Sequence, residues 1–63
     1  MEAYIEKIEN RLKIAQAHRL AYEAALHETN IDDYERTAFE DALHRWEVEI
    51  DVLIWVLKTI KHD

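Results

Sequence analysis

The sequence predicts an all-α fold: an antiparallel two-helix hairpin (an αα-hairpin) that dimerises into a four-helix bundle. Three observations predict it. The 63 residues contain no Gly and no Pro, so the tight turns that sheet folds need are missing. Each half of the chain carries a seam of apolar residues spaced alternately three and four apart, the period of an amphipathic helix. The two seams are out of phase, which requires the chain to reverse between them. A chain this short forms one domain, residues 1–63, with a core near the margin of independent stability.

The first seam runs Ile5, Ile8, Leu12, Ala15, Arg19, Tyr22 and Leu26, with Met1 and Tyr4 extending its stripe. It places helix 1 at about residues 2–28. The second seam is Phe39, Leu43, Trp46, Ile50, Leu53, Leu57 and Ile60, widened by Ala42, and places helix 2 at about residues 32–61. Each helix is then about 40 Å long at 1.5 Å per residue.

The turn falls at about residues 29–31. Asp32 followed by Glu35 resembles a capping box with Asp at the N-cap. Asn30 is expected to take the left-handed conformation that ends the first helix. Phase supplies the stronger argument. Continued in step past Leu26, the first seam would run through Asp33, Glu40 and Glu47. One unbroken coiled coil would bury that row of carboxylates at prohibitive cost. Folding about Asn30–Ile31 instead sets Tyr22 opposite Phe39, Arg19 opposite Leu43, Ala15 opposite Trp46, Leu12 opposite Ile50 and Ile8 opposite Leu53.

A second apolar face is left over. Val48, Val52, Trp55 and Thr59 share a side of helix 2 away from its core seam, and Ile54 and Val56 make the last turns apolar nearly all round. A helix of that kind is normally buried on several sides. Ala3, Ile14, Ala17, Ala21, Ala24 and Ala25 give helix 1 a milder counterpart that permits close approach. These four residues of helix 2 are read as an oligomer interface with Trp55 as its anchor, whereas Trp46, within the seam, is read as core. A groove for another protein's helix and a membrane-surface face are the alternatives. The latter lacks the flanking Lys and Arg that such a face uses.

Charge is unevenly placed. The chain has 14 acids, 8 bases and a formal net charge of −6, and residues 32–51 alone hold eight acids against two bases. Lys58 and Lys61, set against Asp63, suit a helix C-terminus. Asp33, Glu40, Glu47 and Asp51 fall on one face of helix 2, with His44 among them. A solvated face held by pairs such as Arg36–Glu40, Asp41–Arg45 and Arg45–Glu49 has this pattern. So does a docking strip for a basic partner, since carboxylates along a helix can imitate a phosphate row. Net acidity argues against binding nucleic acid directly through bulk electrostatics.

Catalytic and metal sets are not expected. There is no Cys and no Ser, no Gly-rich loop to hold a phosphate, and no depth for a pocket in a two-helix hairpin. Of the four histidines, His44 follows Asp41 by three residues and His27 follows Glu23 by four. Neither forms the inward-facing Glu-x-x-His pair of a carboxylate-bridged metal bundle, and His18 flanks the seam while His62 sits at the chain end. The expectation is therefore no enzyme, no cofactor and no metal. Arg19 interrupts the first seam. It either fixes register through a carboxylate such as Glu23, snorkels at the seam edge, or contacts a ligand.

The layout resembles the small plasmid and phage helical hairpins that dimerise into four-helix bundles, the RNA-binding Rop type among them. That likeness is one of layout and carries over no residues; the phage or mobile-element accessory class is expected instead because small, acidic chains without catalytic sets are common in it. The function expected is a homo-oligomeric, non-enzymatic interaction protein that binds and regulates or inhibits another protein. The alternative is an acidic nucleic-acid mimic or a Rop-like nucleic-acid regulator, although an RNA binder would want a basic face. An acidic start at Met1-Glu2-Ala3 and a longest apolar run of Val52–Leu57 predict neither a signal peptide nor a membrane span, hence a cytoplasmic protein.

Overall fold

The computed structural model describes residues 2–61; the expectations placed on Met1, His62 and Asp63 lie outside the described residues. Helix α1 spans Glu2–Leu26 and helix α2 spans Asp33–Lys61, with no strand among the described residues. They pack against each other as a single antiparallel layer of 48 × 14 × 12 Å. Contacts along α1 establish the direction: Tyr22 lies 5.9 Å from Phe39 near the turn, and Arg11 bonds Glu49 farther along.

The reversal is longer than residues 29–31, and α1 stops at Leu26 rather than near residue 28. His27 and Glu28 donate to the carbonyls of Ala24 and Ala25 at 3.1 and 3.2 Å. These three-residue steps tighten the last turn and satisfy two carbonyls that an ended helix leaves open. Asn30 does not adopt the left-handed conformation expected of it, since no described residue has positive φ. Six connecting residues, 27–32, spread the bend over several right-handed or extended positions. The Asp32 cap does form. The Glu35 amide donates to Asp32 Oδ1 at 2.7 Å, and the Arg36 amide donates to the Asp32 carbonyl at 2.9 Å as the first helical bond.

Burial is thin, as one helix packed on one other must make it. Ala15, Ile50 and Leu57 are enclosed, while the rest of both seams is half-buried. Trp46, expected in the core, is among the half-buried. Ala15, at 0% exposure, shows where the helices approach closely. The indole of Trp46 spreads beyond that point and stacks on His18 at 4.3 Å with the rings 6° from parallel. Long side chains lean toward the N-terminus of their own helix, so partners across a hairpin need not share a level. That lean lets Lys61 Nζ reach Glu9 Oε2 at 3.0 Å although their backbones are far out of step.

Candidate functional site: two faces of the second helix

α2 carries both sets of residues singled out from sequence. Its seam faces α1, and at 3.6 residues per turn Trp55 points nearly opposite to Leu53 and Leu57. Val48, Val52, Trp55 and Thr59 are all exposed, at 48%, 53% and 66% for Val48, Val52 and Trp55. They form one row on the side turned from α1. Thr59 donates its hydroxyl to the Trp55 carbonyl at 2.9 Å, so its polar atom is satisfied within the helix. An exposed, aligned Trp and Val set differs from the scattered apolar residues that any surface shows.

Asp33, Glu40, Glu47 and Asp51 occupy another face of α2, and all four are exposed. Among the described residues none of these four carboxylates enters an ion pair. The acids outside the strip behave differently. Asp41 takes Arg45 at 2.9 Å, as the helical spacing predicts. Glu49, expected to pair with Arg45, instead accepts from both Nε and Nη2 of Arg11 across the hairpin, at 2.9 and 3.0 Å. This two-pronged bond, and then the carboxylate charge itself, raise the Arg11 guanidinium above its ordinary value. Stability linked to that rise persists until the pH passes the already high arginine value, so salt rather than pH is the practical lever on the pair.

Arg11 also lies over Trp46, its guanidinium carbon 5.3 Å from the ring centroid. Arg11, His18, Trp46 and Glu49 thus form a polar–aromatic clasp along one edge of the hairpin. Sequence reasoning missed it, although the signal was present: setting Leu12 opposite Ile50 brings Arg11 beside Glu49. Arg19 sits half-buried, with Nε shielded from solvent, lacking a hydrogen-bond partner, and 3.4 Å from Glu23 Oε1. It serves the helix edge with the carboxylate one turn along.

No group of three or more His, Cys, Asp or Glu among the described residues comes together as a metal site. The hollow lined by Tyr22, Ala42, Arg45, Trp46 and Glu49 holds about 310 Å³ and lies open at the surface. No helix among the described residues is long and apolar enough to cross a membrane. Compared with models of protein families, with curated proteins and with solved structures, the chain matches none of them.

Proposed function

We propose that this chain is a non-enzymatic interaction protein: a hairpin that associates with a second copy, four helices in all, and binds and regulates or inhibits another protein. The observation that carries this reading is the division of α2. An aligned apolar row suited to association lies on one face, and four unpaired carboxylates lie on another. Charge left without an internal partner is available to an external one, and a basic protein surface is its chemical complement. Arg19, 3.4 Å from Glu23, is not needed for this reading.

Reversing Glu40 and Glu47 to Lys tests it. Both residues are exposed, so helicity should stay unchanged while partner binding is abolished. The assay is capture from host extract by wild type and by Glu40→Lys/Glu47→Lys side by side, at two salt concentrations. A bound protein lost both on reversal and on raising salt supports the strip as the contact. A bound set indifferent to both changes refutes it.

Nucleic-acid mimicry is the second reading, favoured by the same unpaired row. A self-associated pair carries twice the −6 of one chain. Mimicry adds one outcome: duplex DNA displaces the captured protein, with the steep salt dependence of phosphate contacts.

A further inference from the structure

The exposed row on α2 is longer than its four apolar residues. Stepping toward the turn with the same alternation of four and three adds Arg45 and then Asp41. The back of α2 therefore carries a second heptad seam, opposite the one that packs on α1. Its two parts differ. Asp41 and Arg45 satisfy each other at 2.9 Å and remain well hydrated. From Val48 to Thr59 the row holds no charge, and the hydroxyl of Thr59, the one polar member of that stretch, is already bonded.

We infer that this row docks on the same row of a second copy, antiparallel, with Val52 level with the partner's Trp55 and Val48 level with the partner's Thr59. The inference rests on the self-association proposed above and supplies its surface, direction and register. The chain is an open layer of 48 × 14 × 12 Å, so much of its surface stays uncovered. The chain exposes 5127 Å², about 800 Å² more than the roughly 4,300 Å² that a compact monomer of its mass presents. Part of that surplus is the exposed apolar surface of Val48, Val52 and Trp55.

Charge sets the direction. Asp51 and Lys58 each stand three residues beyond a row member, on the same flank. In an antiparallel pair such flanks face each other, and this register brings Lys58 within two residues of the partner's Asp51, twice by symmetry. A parallel pair would instead set two acid-rich, turn-proximal halves side by side and align the helix dipoles. Register follows from matching apolar to apolar. A pairing shifted by one heptad toward the turn would press Trp55 and Thr59 onto the partner's Arg45 and Asp41.

The resulting assembly is a row of four helices with the two α2 helices in the middle, rather than a closed square. That order accounts for the last turns of α2 being apolar nearly all round. It also gives Asp51 a place at the edge of the self-interface, leaving Asp33, Glu40 and Glu47 to face outward.

Sedimentation equilibrium on the full chain in low salt tests the inference, with circular dichroism confirming equal helicity. Wild type should plateau at twice 7.6 kDa. Asp51→Lys and Lys58→Glu should each weaken the dimer about tenfold, a rim-sized effect taken twice, and the double exchange should restore it to within about twofold. A spin label at Thr37 reads direction without altering these charges: the two labels stand roughly 50 Å apart in this register and far closer in a parallel pair. A monomeric wild type would overturn the self-association itself. A dimer indifferent to the single exchanges, or not recovered by the double, or with closely spaced labels, would leave association standing and overturn this arrangement. Mass that climbs with concentration without a plateau would also overturn it. That behaviour means the row meets the small residues on the back of the next copy's α1, a head-to-tail contact that never closes.

Discussion

The two halves of α2 are built for different surroundings. The turn-proximal half, up to Glu47, has no enclosed residue; its seam side chains Phe39, Leu43 and Trp46 are half-buried, and its remaining faces are largely charged. The open half, from Val48, holds both enclosed residues of the helix, Ile50 and Leu57, and also the exposed Val48, Val52 and Trp55. Helix ends far from a connection are where fraying is expected, yet here the far end packs best. The turn therefore guides the hairpin but does not hold it. What holds it is the end that carries apolar residues on both sides of α2.

The sharpest way to break this contrast is to compare one seam residue from each half. Ile50, 4% exposed, is enclosed in the seam that faces α1. Ile50→Ala should cost about 2–5 kcal/mol, enough to unfold a hairpin of this size, seen as loss of helicity on mild heating. Leu43→Ala, at a half-buried position, should cost distinctly less. Equal losses would show that the halves do not differ in how they hold the fold. Trp55→Glu comes next in size and acts on the outer side of the same half. At 66% exposure the residue contributes little to one hairpin, so helicity should persist. The dimer should weaken by about 30-fold or more, the equivalent of losing an anchor of about 2 kcal/mol. Light scattering reads it, and an unchanged mass would remove Trp55 from the interface.

Much of this contrast is legible in the sequence because periodicity and phase are physical constraints on burial. The seams located both helices, and the carboxylates at Asp33, Glu40 and Glu47 excluded a single long helix. The Tyr22–Phe39 and Asp41–Arg45 contacts follow from spacing alone. Contacts that depend on side-chain reach were not legible. The stack of His18 on Trp46 and the Lys61–Glu9 bridge join residues whose backbones stand at different levels. Asn30 misled for another reason. A residue's tolerance of the left-handed conformation matters only when a short turn demands it, and a six-residue connection makes no such demand. The acidic strip and the apolar row were both visible as patterns, because each repeats at helical spacing on one face of α2.

The smallest expected effect sharpens the comparison from the turn side. Asp32 accepts the Glu35 amide at 2.7 Å and its charge lies at the positive end of the α2 dipole. Asp32→Ala should therefore cost about 1 kcal/mol, and Asp32→Asn, which keeps the acceptor, a fraction of that. The loss should also be local. Amide exchange should quicken through the first turn of α2, at Asp33–Arg36, while amides near Ile50 and Leu57 change only by the global shift. If the open half were held by the turn, both regions would loosen together. A local response leaves the far end as the part that secures the hairpin, with the cap fixing only where α2 begins.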